Sequence, residues 1–180
     1  MLTEEQKSAL LRVARESMTA HVLGQSGAPA HASVELPDAS GVFVTIKRRG
    51  ELRGCLGTLQ CHSGLAEEVA RCARDSASED PRFPRVARAE LTDLTVEVSV
   101  LGPLEQIDPT EPEAIVVGRH GLVVDDGRRR GLLLPQVPVE WGWTAEQFLR
   151  QTCHKANLAE DCWSSGAARV YRFEAEVFGE

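Results

Sequence analysis

The sequence lacks the long apolar segments that place a protein in a membrane or send it across one. No apolar run approaches the roughly 18–20 residues that a transmembrane helix needs. The first residues are acidic and polar, and no apolar stretch of the kind found in a secretory signal peptide follows them. We therefore expect a cytoplasmic protein with no membrane partner.

The cysteine pattern lacks the spacings that form metal sites or disulfide frameworks. The chain has five cysteines and no Cys-x-x-Cys pair. Structural zinc prefers closely paired ligands, and an odd cysteine count without a secretion signal argues against a disulfide framework. The sequence therefore predicts neither feature. Because a nucleotide-binding motif is also missing, we expect no cofactor.

An excess of basic charge is missing as well. The net charge is −7, and since basic and acidic side chains balance over residues 1–90, the whole excess lies in residues 91–180. Proteins that bind nucleic acids take much of their affinity from basic groups that neutralise phosphates. The charge balance therefore predicts no nucleic-acid partner.

What the chain does have is an ordinary globular composition over 180 residues, with 42% hydrophobic and 26% charged residues. This length predicts a single domain that covers residues 1–180. Capping boxes at Thr3 and Thr144 predict the starts of two helices. Hydrophobic alternation over residues 94–101 and 171–177 predicts two strands, each with one buried face.

Hairpins dominate the rest of the predicted strands. Residues 42–47 and 52–59 flank a glycine-containing turn, and residues 122–124 and 132–134 flank an Asp-Asp-Gly turn. No repeated βαβ pattern appears. We therefore predict an α+β fold with a mostly antiparallel sheet packed with helices.

The most unusual predicted strand carries a cysteine, Cys55, between Gly54 and Gly57. Glycine inside a strand marks a bulge or a place where a ligand approaches closely. A nearby guanidinium lowers the pKa of a thiol, and Arg53 is close in sequence. One interpretation makes Cys55 a catalytic residue tuned by Arg53, with Gly54, Gly57 and Thr58 beside the ligand. The other makes Cys55 a small buried apolar residue and the glycines part of a bulge.

A second unusual segment, residues 134–143, combines two prolines and two tryptophans with Gln136 and Glu140. A few polar groups in an apolar loop are typical of a pocket wall, which makes Gln136, Glu140 and Trp141 candidate binding residues. Alternatively, the tryptophans close the core over the last helix. His62 and His154 each follow a cysteine, and a Cys–His couple can activate a nucleophile, but the sequence does not decide which groups meet.

The segment Leu52–Thr58 resembles the hallmark of the AMMECR domain, called AmmeMemoRadiSam system protein A in prokaryotes. The family usually has isoleucine at the position of Leu56. The resemblance continues in the expected order through further motifs: Asp80–Pro84, Glu97–Leu101, Gly131–Val137, Trp141–Ala156 and Tyr171–Phe178.

The resemblance implies an α+β fold with a larger and a smaller lobe, and places the Arg-Gly-Cys motif near the cleft. It also implies two partners, a MEMO-like protein and a radical S-adenosylmethionine enzyme, but no established reaction. Two functions follow. The chain is expected to be an accessory or interaction component that acts with these partners, or else an enzyme that uses Cys55 as nucleophile or redox centre.

Overall fold

The computed structural model describes residues 2–26 and 32–180 and divides into two compact units. Unit 1 comprises Met1–Leu101 and Glu176–Glu180, and unit 2 comprises Gly102–Ala175. Within the described ranges, every helix is too short or too polar to span a bilayer.

Unit 1 is built from an antiparallel sheet and two long helices. In chain order its elements are α1 (Glu4–Val22), β1 (Gly41–Arg48), β2 (Glu51–Thr58), α2 (Leu65–Ser78), a 3-10 helix (Arg88–Asp93) and β3 (Leu94–Leu101). The strands lie in the order β2-β1-β3. The capping box at Thr3 is confirmed, because its hydroxyl accepts from the backbone N–H of Gln6 and the Gln6 side chain accepts in return. Helix α2 begins after Gly64, which supplies no side-chain cap.

The predicted hairpin between β1 and β2 is confirmed. Its turn residues, Arg49 and Gly50, have φ angles of 53° and 86°, the pair of positive values typical of a two-residue hairpin turn. The pairing shifts register after Ile46, which lies opposite Gly54, while Lys47 lies opposite Leu52. Arg53 is therefore the extra residue of a β-bulge.

The core of unit 1 lies between one face of this sheet and the two helices. Val42, Val44 and Ile46 on β1 are fully buried and pack in one cluster with residues of α1 and α2 such as Met18 and Val69. Because side chains alternate along a strand, the intervening residues of β1 lie on the opposite face of the sheet. That opposite face carries polar groups.

Unit 2 holds the shorter elements: β4 (Glu105–Ile107), β5 (His120–Asp125), β6 (Arg130–Leu133), α3 (Gln136–Glu140), α4 (Ala145–Lys155) and most of β7 (Arg169–Gly179). Strand β5 pairs antiparallel with β6 and β7, and β4 pairs with β7. The capping box at Thr144 is confirmed. Leu122, Val124, Phe148 and Leu149 form the centre of the core of this unit.

The structure corrects the expectation about disulfides. Cys153 on α4 and Cys162 in the following turn are joined in a disulfide across nine residues. Both side chains lie in the core of unit 2, with 0% and 2% exposure. The odd cysteine count is compatible with this pair because Cys55, Cys61 and Cys72 are free.

The predicted α+β fold with an antiparallel sheet is confirmed, including both alternating segments. Residues 94–101 form β3, and residues 171–177 lie inside β7. The division into a larger unit 1 and a smaller unit 2 agrees with the two lobes that the resemblance implies.

Candidate functional site

Cys55 lies in a row of polar side chains that crosses the three strands of unit 1. Thr45 on β1 is opposite Cys55 on β2 and also opposite Glu97 on β3. Residues directly opposite each other point to the same face, so a thiol, a hydroxyl and a carboxylate stand side by side. The Thr45 hydroxyl contacts the Cys55 sulfur at 3.2 Å, and the ammonium of Lys47 binds the Glu97 carboxylate at 2.8 Å.

The Cys55 thiol is half-buried, and burial is the main influence that raises its pKa. The hydrogen bond from Thr45 and the positive charge of Arg82 act in the opposite direction, and the charges of Asp80 and Glu97 add to the increase. The thiol is therefore protonated at neutral pH. Burial also raises the pKa of the other free thiols, Cys61 and Cys72, and that of Cys72 rises to about 11.

Asp80 connects the strand at Cys55 to the guanidinium of Arg82. Its side chain is only 2% exposed, and one carboxylate oxygen accepts from the backbone N–H of Cys55 at 2.9 Å and from Nη2 of Arg82 at 2.8 Å. The other oxygen accepts from Nε and the backbone N–H of Arg82 at 3.0 and 3.1 Å. The Arg82 hydrogen bonds are the largest influence that holds the pKa of Asp80 well below its usual range. This Asp80–Arg82 clamp sets the position of the guanidinium beside Cys55.

Arg53, the residue expected to act on the thiol, is bound to a carboxylate and to backbone carbonyl groups. Its guanidinium binds Glu90 through Nε and Nη2 at 2.8 and 2.9 Å and donates through Nη1 to the carbonyl of Pro84 at 2.9 Å. This hydrogen-bonded pair lowers the pKa of Glu90 to about 2. The bulge places Arg53 outside the regular pairing with β1. Arg53 anchors residues 84–90 to the strand, and the arginine whose charge acts on Cys55 is Arg82.

The two glycines beside Cys55 are required by the packing of the protein itself. A Cβ atom at Gly54 would overlap the backbone carbonyl of Ser76 in α2, and one at Gly57 would overlap the ring of Phe43. Helix α2 thus approaches the strand closely on one face, and an aromatic ring lies across it on the other. Neither glycine needs a ligand to explain it.

Two hydroxyl groups complete the local framework of the strand. Ser76 accepts from the backbone N–H of Leu56 and donates to the carbonyl of Val44, both at 2.8 Å, so it joins α2 to both strands of the hairpin. Thr58 donates to the carbonyl of Gln60 at 2.7 Å and stabilises the turn after β2. The proposed binding role of Thr58 stays a prediction.

The second predicted binding segment lies in unit 2 and is largely exposed. Gln136 and Glu140 are exposed residues of the short helix α3. Trp141 follows the helix with 70% exposure, and its ring stacks on that of Trp143 with the centroids 6.1 Å apart. Val139 is 58% exposed beside it. We call Val139, Trp141 and Trp143 the Trp141 surface.

The histidine candidates contribute no nucleophile–base couple in the described parts of the chain. Among residues 2–26 and 32–180, the histidine rings that make hydrogen bonds contact Ser78 and the backbone of Val116, and Cys153, the neighbour of His154, is engaged in the disulfide. Across residues 2–26 and 32–180, no group of three or more acidic, histidine or cysteine side chains is placed to hold a metal ion.

Sequence reasoning missed the residues that organise the site, namely Thr45, Ser76, Asp80, Arg82 and Glu97. One signal for these residues is present in the sequence: the rigid Asp-Pro-Arg-Phe-Pro sequence of Asp80–Pro84 is unusual for a surface loop. What the sequence does not contain is the contact between this segment and a strand 25 residues earlier.

The comparison with known proteins matches the family model AMMECR1 to residues 11–178. A protein of Thermococcus gammatolerans is 47% identical over 99% of this chain and 92% of its own length. A protein of Methanothermobacter thermautotrophicus is 43% identical over 99% of this chain and 96% of its own. The crystal structure of an uncharacterised protein from Pyrococcus horikoshii is similar with a TM-score of 0.85 and 44% identity, and the match covers 95% of this chain and 89% of that one.

Proposed function

The chain belongs to the AMMECR1 family, and we propose that it is an accessory component that acts with a MEMO-like protein and a radical S-adenosylmethionine enzyme of the same organism. These partners are the ones that the resemblance of the Arg-Gly-Cys segment implies. Family membership over almost the whole chain supports this choice.

The observation that carries the proposal is the Trp141 surface. Trp141 and Val139 expose 70% and 58% of their surface although both are large apolar residues. Exposed apolar groups with a polar rim are typical of protein–protein contacts, and tryptophan is enriched among the residues that dominate binding energy. The exposed polar residues Gln136 and Glu140 supply such a rim. We therefore assign partner binding to this surface.

The state of Cys55 also favours an accessory role over covalent catalysis. A cysteine nucleophile reacts as the thiolate, and enzymes lower its pKa with a nearby cation or a helix N-terminus. Here burial is the largest influence on the pKa of Cys55 and raises it, and the hydrogen bond from Thr45 and the charge of Arg82 do not reverse the increase. The resting thiol is therefore not prepared for attack.

The test is co-purification of the tagged chain with each proposed partner from the same organism, with chemical cross-linking to capture transient contacts. We expect Trp141→Ala to reduce the recovered partner several-fold, since tryptophan truncation at the centre of an interface costs about 2 kcal/mol or more. Leu52→Ser is the matched control, because Leu52 is another exposed apolar residue, 42% exposed, in unit 1. Circular dichroism confirms that both variants are folded. Equal recovery from Trp141→Ala and wild type contradicts the assignment of this surface.

A second candidate function is an enzyme that uses Cys55 as nucleophile or redox centre. The row of Cys55, Thr45 and Glu97 favours it, because a hydroxyl that donates to sulfur stabilises a thiolate once it forms. Reconstitution with the two partners separates the candidates. If the chain is an accessory protein, the Cys55→Ser variant binds its partners and still supports the activity of the radical enzyme. If the chain is an enzyme, the same variant binds its partners but its own reaction is lost.

A further inference from the structure

We propose that the guanidinium of Arg82 is the recognition group of an oxyanion site beside Cys55, and that this site takes a small ligand bearing a carboxylate or phosphate group. The site lies within unit 1 and does not depend on the partners proposed above. Three features support it: the Asp80–Arg82 clamp, the free donors of the guanidinium, and the position of the thiol.

The guanidinium is held in place before any ligand arrives. Its Nε and Nη2 donate to the two oxygens of Asp80 at 3.0 and 2.8 Å, and Asp80 itself is fixed by the backbone N–H of Cys55. The guanidinium carbon also lies 5.5 Å from the centre of the Phe83 ring. A side chain that is already ordered loses little conformational entropy when it binds a ligand.

One edge of this guanidinium remains available. Nη1 of Arg82 donates to no acceptor among residues 2–26 and 32–180, and the remaining contact of Nη2, to the carbonyl of Cys55, is long at 3.4 Å. The Arg82 side chain is 56% exposed. The planar fork of arginine matches the two oxygens of a carboxylate or phosphate, and Nη1 and Nη2 form such a fork.

Arg53, in the same region, is an arginine whose contacts are purely structural, and it serves as a comparison for Arg82. Its side chain is 12% exposed, Nε and Nη2 donate to Glu90 at 2.8 and 2.9 Å, and Nη1 donates to the backbone carbonyl of Pro84 at 2.9 Å. Arg82 shares the buried carboxylate partner but keeps a free edge. The difference indicates that Arg82 has a binding role in addition to its structural one.

The thiol defines the other side of the proposed site. Nη2 of Arg82 contacts the carbonyl of Cys55, and the Thr45 hydroxyl contacts its sulfur. The ammonium of Lys47, on the same face of the sheet, is paired with the Glu97 carboxylate at 2.8 Å, whereas the charge of Arg82 acts on the Cys55 thiol. A ligand anion on the free edge of Arg82 would therefore lie beside Cys55.

The test compares two alkylating reagents of similar size on the isolated protein at about pH 8.5, iodoacetate with a carboxylate and neutral iodoacetamide. In both reactions the Cys55 thiolate displaces iodide, so a C–S bond forms as a C–I bond breaks, and the thiol proton goes to the buffer. Mass spectrometry follows Cys55 and Cys61 separately. We expect the ratio of the iodoacetate rate to the iodoacetamide rate to be about fivefold higher at Cys55 than for free glutathione.

Arg82→Gln should return this ratio to that of glutathione. Loss of the Arg82 charge also lowers the thiolate fraction, but it does so equally for both reagents, so the ratio isolates the attraction of the anion. Arg85→Gln is the matched control, since Arg85 is 76% exposed on the same segment and pairs with the exposed Glu79. This variant should keep the wild-type ratio.

Competition in the wild-type protein keeps the test independent of whether Arg82→Gln folds. Acetate or inorganic phosphate should slow iodoacetate labelling of Cys55 more than iodoacetamide labelling, because iodoacetate also loses its attraction to Arg82. Protection by acetate identifies a carboxylate site and protection by phosphate identifies a phosphate site. A wild-type ratio equal to that of glutathione, an unchanged ratio in folded Arg82→Gln, or no protection by either anion overturns the proposal. Each of these outcomes leaves the co-purification result untouched, so failure here is distinguishable from failure of the accessory role.

Discussion

Replacement of Asp80 by asparagine tests the clamp that organises the site. Asp80→Asn keeps the shape of the side chain but converts one oxygen into an NH2 group. Each oxygen of Asp80 accepts two N–H groups, one pair from Cys55 and Arg82 and the other pair from Arg82 alone. Whichever way the amide is turned, its NH2 group faces two donors, and at least one buried N–H loses its acceptor.

The expected cost is about 2–3 kcal/mol in the free energy of unfolding. An unsatisfied buried polar group costs about 1–3 kcal/mol, and removal of one partner from a buried ion pair costs about 3–5 kcal/mol. We place the value in the upper part of the first range and below the second, because Arg82 is 56% exposed and can be rehydrated in the variant. Glu79→Gln is the control, since it removes a neighbouring carboxylate that is 58% exposed, and it should cost less than about 0.5 kcal/mol.

Urea unfolding followed by circular dichroism at neutral pH measures both values. The dependence on acid gives a second measurement. Because the folded-state pKa of Asp80 lies below the usual value of 3.8, its contribution is complete above that value and disappears as the pH falls through the folded-state pKa. Asp80→Asn should therefore lose less stability on acidification than wild type. Equal costs for Asp80→Asn and Glu79→Gln would refute the clamp.

Three further predictions concern other parts of the fold. Gly54→Ala should destabilise the protein by about 1–3 kcal/mol, because the new methyl group overlaps the backbone of Ser76. Gly64→Ala is its control, since there the overlap is with the flexible side chain of Glu67. Equal losses of stability for the two changes in urea unfolding would contradict this prediction. Cys153→Ala with Cys162→Ala should cost about 2–4 kcal/mol through loss of the cross-link, and a melting temperature unchanged from that of the oxidised wild type would contradict this. His120 accepts from the N–H of Val116 through Nδ1 at 3.0 Å, and burial, with the charges of Arg172 and Arg119, lowers its pKa. The unfolding free energy should therefore fall as the pH drops below the usual histidine pKa of 6.5 towards the lower folded-state pKa, and His120→Gln, which has no group that titrates there, should show a smaller fall.

Local patterns predicted the secondary structure well. The capping boxes at Thr3 and Thr144 and the alternation over residues 94–101 each lie within a few neighbouring residues, so the sequence carries the whole signal. The same is true of the hairpin turn at Arg49 and Gly50. Such features are decided by backbone hydrogen bonds and side-chain periodicity over short distances.

The contacts of the candidate site are of a different kind. Cys55 meets Asp80 across 25 residues, and Arg53 meets Glu90 across 37 residues. A bulge decides which arginine acts on the thiol. The glycines of the strand indicate a bulge, but they do not determine that Arg53, the neighbour of Gly54, is its extra residue. The disulfide was missed because counting cysteines tests for a framework of several bridges and does not exclude a single pair.

The pKa of Cys55 is the measurement that tests the account of the site most directly. It can be obtained from the pH dependence of iodoacetamide labelling at Cys55, followed by mass spectrometry in the native protein. A half-buried thiol hydrogen-bonded to Thr45 and held beside the Asp80–Arg82 clamp should have a pKa above the ordinary value of 9.0, and Arg82→Gln should raise it further. A pKa at or below about 7 would mean that the resting protein holds a reactive thiolate. That result would contradict a thiol that is protonated at rest, and it would favour the enzyme over the accessory component.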